Sequence, residues 1–130
     1  DEIGKIIDKY SFQPDIRKIN LSELSKFLQE KRPFMVRLLI HPTLQEHEKF
    51  TELLRAVFHL TEELDYRQGY ENLPSTDLEH LGGDVKRVYK SLVSQWVIYM
   101  KHLKVNYPYL FSLAVRVSPY NQDANPIVKN

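Results

Sequence analysis

The chain has 130 residues, of which 42% are hydrophobic and 27% charged; this is an ordinary globular composition for one domain and excludes disorder over most of its length. It contains no cysteine, which excludes disulfides, thiolate metal sites and cysteine nucleophiles. With 18 Lys and Arg against 17 Asp and Glu, the net charge is +1, so there is no electrostatic footprint for nucleic acid, and no apolar run approaches the roughly 20 residues needed to cross a bilayer.

Only 4 residues are Gly, which disfavours a turn-rich sandwich and points to an all-α chain. Ile3, Ile6, Ile7 and Tyr10 recur at helical spacing, and Pro14 closes that segment. Asn20 or Ser22 can cap a second helix with Leu24, Phe27 and Leu28 on one face; Pro33 either kinks it or begins a new helix running from Phe34 to Ile40. Thr43 and Glu46 have the spacing of a capping box. The helix that follows, to about Arg67, carries Phe50, Leu53, Leu54, Val57, Leu60 and Leu64 on a core-facing stripe.

The polar stretch from Gln68 to Thr76 reads as a loop, and Thr76 with Glu79 offers a second capping box. A long helix, about Asp77 to Asn106, follows, with Leu78, Leu81, Val85, Val88, Leu92, Trp96, Tyr99, Met100 and Leu103 on one broad face. Pro108 suits the first position of a last helix, with Leu110, Leu113, Ala114 and Val117 turned inward and Pro119 beyond its end. The pattern predicts a helical bundle built on an antiparallel pair, Thr43–Arg67 and Asp77–Asn106, with short N- and C-terminal helices. One domain is expected over residues 1–120, and a flexible tail over 121–130.

Two carboxylate and imidazole groupings invite a metal reading. His59 and Glu63 are spaced i, i+4, while Asp77, His80 and Asp84 are spaced i, i+3, i+7. A bundle metal site needs ligands that project into the core. At about 100° per residue, His59 and Glu63 fall at about 180° and 220° from Phe50, against a stripe centred near 340°. His80 and Asp84 fall at about 200° and 240° from Leu78, against a stripe centred near 330°. The wheel therefore favours a solvated polar face, with His59, Glu63, His80 and Asp84 kept as the metal-binding alternative; no cofactor is expected. Gly82-Gly83 reads as a helix-interior pair that lets another element approach or kinks the helix. Neither a nucleophile elbow nor a Gly-rich phosphate loop is found, so no enzyme is expected. Apolar residues outside the stripes, Val97, Ile98, Tyr107, Tyr109 and Phe111, are either covered by the N-terminal segments or form a subunit interface in a homo-oligomer.

The segments AVFHLTEEL at Ala56–Leu64, DLEHLGGDVKRVY at Asp77–Tyr89 and YPYLFSLAVR at Tyr107–Arg116 resemble the soluble C-terminal region of prokaryotic ion channels with a two-helix potassium-channel pore. The likeness runs from about Pro33 to Pro119, with Arg116-Val-Ser-Pro-Tyr120 in place of the usual Arg-Thr-Asn-Pro-Phe ending. It implies a cytoplasmic assembly or regulatory domain, with a membrane pore earlier in the same chain and no catalytic residues. The start at Asp1 rather than Met accords with a piece excised from such a protein. The alternatives are a metal-binding helical bundle with a redox or sensor role and a soluble protein-interaction domain.

Overall fold

The computed structural model describes residues 14–121 and 123–129; the helix expected around Ile3 to Tyr10 lies outside them. The described residues form one 3-10 turn, Ile16–Lys18, and five α-helices: α1 (Leu21–Leu39), α2 (Pro42–Gln45), α3 (Glu48–Asp65), α4 (Ser75–Asn106) and α5 (Pro108–Arg116). The all-α bundle expected from the sequence is what forms. The described residues fall into two compact units, one ending at Val93 and the other beginning at Ser94, and α4 contributes to both.

In the first unit, local chemistry sets the helix starts. The Asp15 carboxylate accepts from the Arg17 N–H at 3.0 Å and opens the 3-10 turn. The Asn20 side chain accepts from the Glu23 N–H at 3.1 Å, satisfying one of the donors left unpaired at the start of α1. Pro33 neither begins nor ends a helix; α1 continues through it. Thr43 and Glu46 do not form the expected capping box. Pro42 at a helix start nucleates the short α2 instead, and α3 begins at Glu48 with His47 at its N-cap. Helix α4 begins at Ser75, which places Thr76 inside the first turn and not at the cap.

The core of this unit gathers Leu21 and Leu28 from α1, Leu60 and Leu64 from α3, and Leu81 and Val85 from α4. Phe27, expected on the buried face of α1, is exposed. The buried α1 face is set by Leu21 and Leu28, two turns apart, and Phe27 lies about 100° round from Leu28. Leu60 and Leu64 are one turn apart on α3, as are Leu81 and Val85 on α4, so each helix presents one apolar row to the cluster. Thr61 is fully buried and returns its hydroxyl to the Val57 carbonyl at 2.7 Å. The Tyr70 hydroxyl donates to the Leu64 carbonyl at 2.8 Å, tying the connecting loop to the end of α3.

The two interior glycines differ. A Cβ on Gly82 would stand 3.5 Å from Ile16, in ordinary contact with the 3-10 turn, whereas Gly83 has nothing within 4 Å. Neither has a positive φ.

In the second unit, Pro108 opens α5 with Tyr107 at its N-cap, as expected. The inward face expected for α5 is not found: Leu110, Leu113 and Val117 are exposed, as is Tyr99 on α4; Leu92, in the part of α4 that belongs to the first unit, is exposed too. Among the described residues of this unit, Leu103 and Ser118 are buried, and Trp96 lies 6.1 Å from Tyr120 between ring centres. Of the interface candidates, Ile98, Tyr107 and Tyr109 are exposed and Val97 and Phe111 half-buried. Beyond α5, the Asn125 N–H donates to the Arg116 carbonyl at 2.8 Å and the Arg116 side chain donates to the Pro126 carbonyl at 3.0 Å.

Two substitutions test this packing. Leu81→Ala removes a side chain with no solvent exposure and is expected to cost about 2–5 kcal/mol in urea unfolding. Gly83→Ala is expected to stabilise the domain by up to about 1 kcal/mol, because it improves helix propensity where a methyl meets no neighbour.

Candidate metal centre

The residues that pack α3 against α4 also place their neighbours. His59 precedes Leu60, Glu63 precedes Leu64, His80 precedes Leu81 and Asp84 precedes Val85. One position back along a helix is about 100° of rotation, so once the four apolar residues enter the core, the four polar ones line the edge of the α3–α4 groove. The facing pairs run antiparallel: His59 Nε2 lies 3.3 Å from Asp84 Oδ2, and one turn on, His80 Nε2 lies 3.2 Å from Glu63 Oε1. Along each helix, His59 Nε2 is 3.6 Å from Glu63 Oε1, and His80 Nε2 is 3.6 Å from Asp84 Oδ2. All four donor atoms lie within 4.8 Å of one another.

These distances match a small ion's coordination shell. Zinc binds imidazole nitrogen and carboxylate oxygen at about 2.0–2.2 Å, and ligands on a tetrahedron of that size stand about 3.4 Å apart. Four of the six separations fall at 3.2–3.6 Å, and the other two, between the histidines and between the carboxylates, lie within 4.8 Å. Two neutral imidazoles and two carboxylates also balance one divalent charge.

Asp84 supplies an independent sign. It is only 4% exposed, and its Oδ2, the oxygen turned toward the two histidines, has no partner in hydrogen-bonding geometry. A buried carboxylate oxygen without a donor is costly, and a cation between it and the imidazoles removes that cost.

The other oxygen of each carboxylate is held from outside. Asp84 Oδ1 accepts from Arg87 Nη1 at 2.9 Å, and Glu63 Oε2 accepts from Arg67 Nη1 at 2.9 Å. Arg67 also donates to the Glu63 carbonyl. Its remaining donors form a fork on Asp77, Nε to Oδ2 at 2.8 Å and Nη2 to Oδ1 at 2.6 Å, joining the end of α3 to the first turn of α4. The Arg67 hydrogen bond, with a further contribution from His80, holds the Glu63 carboxyl below its ordinary value. It does the same for Asp77, and the Asp77 bond in turn raises Arg67. Glu63 is therefore ionised at neutral pH, the form that binds a metal.

The wheel placed all four residues on a solvated face, and the structure corrects this: it brings the four together in one groove and buries Asp84. His59 and His80 remain 48% and 51% exposed, so the site has a solvent side. Arg67 and Arg87 carry no metal-site signal of their own in the sequence. The signal available was the repeat His-Leu-x-x-acid-apolar, at 59–64 and again at 80–85. A separate cleft of about 920 Å³ lies where the 3-10 turn meets the loop at Gln68 to Leu73, and it contains none of these residues.

Asp77→Asn is expected to lower the stability of the metal-free domain by about 1 kcal/mol at neutral pH, a modest figure because the pair is partly open to solvent. The folded Asp77 pKa is depressed, so its contribution is complete above the unfolded value, about 3.9, and is lost as pH falls through the folded value. Urea midpoints of the two proteins should therefore converge in acid.

Residues 1–116 match a family described as "Uncharacterized protein MJ1433, C-terminal helical domain". The chain is 49% identical over 121 residues to "Uncharacterized protein MJ1433" of Methanocaldococcus jannaschii, an alignment covering 93% of this chain and 49% of that protein. The chain thus spans about half the length of the curated relative it matches. No solved structure matches. These findings overturn the resemblance to an ion-channel region: the three segments on which it rested fall within the span matched by this family, and neither description names a channel. Among the described residues no helix is long and apolar enough to cross a membrane. Leucines at helical spacing with polar filler occur in many unrelated helical hairpins, so such segments discriminate poorly between families. The chain belongs to the family of the MJ1433 C-terminal helical domain.

Proposed function

We propose that this helical domain is a metal-binding module in which one divalent transition ion, Zn²⁺ foremost, is held by His59, Glu63, His80 and Asp84 and joins α3 to α4. The convergence of three other donor atoms on the buried Asp84 Oδ2, which accepts no hydrogen bond, carries the reading. Two nitrogen and two oxygen donors suit zinc and its first-row neighbours better than calcium or magnesium, which prefer all-oxygen shells.

The role is non-enzymatic. Four protein ligands complete a tetrahedral zinc shell, as in structural sites, whereas catalytic sites keep a position for water or substrate. The half-exposed imidazoles give the ion direct access from solvent, which suits an occupancy that follows metal availability. Bound metal stabilises the folded form in proportion to its affinity, so the module converts metal supply into the stability of the α3–α4 hairpin.

Calorimetric titration of the metal-free chain with Zn²⁺ should give one ion per chain. At a free concentration one hundred times Kd, stabilisation should be about 2.7 kcal/mol, a rise in Tm on the order of 10 °C. His80→Ala and Asp84→Asn should each abolish the rise. A chain that takes up no zinc, or whose uptake ignores both substitutions, contradicts the proposal.

A further inference from the structure

The two arginines outside the groove do more than balance charge. A carboxylate can give a metal one oxygen or two, and which it gives sets the coordination number. Here each carboxylate turns one oxygen, Glu63 Oε1 or Asp84 Oδ2, toward the histidines, while its other oxygen accepts an arginine N–H at 2.9 Å. The same device serves both helices, from Arg67 one turn after Glu63 and from Arg87 three residues after Asp84.

Resting on the metal-binding reading, we infer that Arg67 and Arg87 fix the coordination number of the centre by holding both carboxylates monodentate, and thereby select a four-coordinate ion such as Zn²⁺ against Ca²⁺ and Mg²⁺. Calcium takes six to eight oxygens at about 2.3–2.6 Å, commonly with bidentate carboxylates, and magnesium requires six donors in near-octahedral array. With the outer oxygens occupied, the chain offers four single donors. Arg67 cannot readily swing away, because Asp77 grips the rest of its guanidinium. Arg87 is 63% exposed, and Asp84 is its ion-pair partner. Neither arginine touches the ion; both are positioning residues.

Arg87 is the better test, since its exposed guanidinium can be removed without opening the core. Cobalt(II) replaces zinc as a spectroscopic probe, with an intense visible band in four-coordinate sites and a weak one in five- or six-coordinate sites. The unaltered chain should show the intense band. Arg87→Met frees Asp84 Oδ1 to join the metal, so the band should fall several-fold in intensity and Zn²⁺ affinity should drop about tenfold or more. Arg87→Lys, which can still donate to Oδ1, should recover much of the band. An intense band that does not respond to Arg87→Met overturns the inference while leaving the metal-binding reading in place, whatever happens to affinity. Failure of the unaltered chain to bind cobalt or zinc overturns both.

Discussion

The register of α3 against α4 is the constraint on which the rest of the first unit depends. Leu60 and Leu64 meet Leu81 and Val85 in one buried cluster, with Leu64 and Leu81 wholly removed from solvent. Full burial of such side chains is worth about 1.5–3 kcal/mol each, far more than the exposed ion pairs around them contribute. The apolar contacts therefore decide the pairing, and the polar residues take the positions left to them. Because each ligand candidate sits one residue before a core residue, slippage of one helix along the other by a turn would break both facing pairs, His59 with Asp84 and Glu63 with His80.

That arrangement carries an electrostatic cost. Asp84 is a carboxylate buried at the edge of an apolar core, with one oxygen bonded to Arg87 and the other facing two imidazoles without a donor. Isolated buried charge is unfavourable unless it is paired or coordinates a metal. Under the proposed metal-binding reading, a divalent ion in the groove would offset the cost and complete the charge balance of the two carboxylates, while Arg67 and Asp77 close the loop end of the same hairpin. Core packing, carboxylate orientation and metal binding are in this account successive consequences of one helix pairing.

Much of the fold was legible in the sequence. The antiparallel pair, a cap at Asn20 (one of two positions, with Ser22, that the sequence offers) and Pro108 at the start of α5 follow from periodicity and capping chemistry and are present in the structure. Boundaries shifted where a local alternative won, as when Pro42 seeded a short helix ahead of the capping box expected at Thr43. Exposure was harder to read. Phe27, Leu110 and Leu113 follow helical spacing but remain exposed, since spacing gives a face without saying what covers it.

The candidate site was visible residue by residue but not as a site. A stripe averaged over a whole helix has a single centre, whereas α3 packs on α1 and also faces α4, so residues on its second contact look solvated on the wheel. On α4, the stripe centre was drawn partly from Trp96, Tyr99, Met100 and Leu103, which belong to the second unit and say nothing about the surroundings of His80 and Asp84. X-ray absorption at the zinc edge of the loaded chain tests the central claim most directly. The account predicts four nitrogen or oxygen neighbours at about 2.0–2.1 Å with the outer-shell scattering of two imidazoles; a six-coordinate shell without imidazole scattering would contradict it.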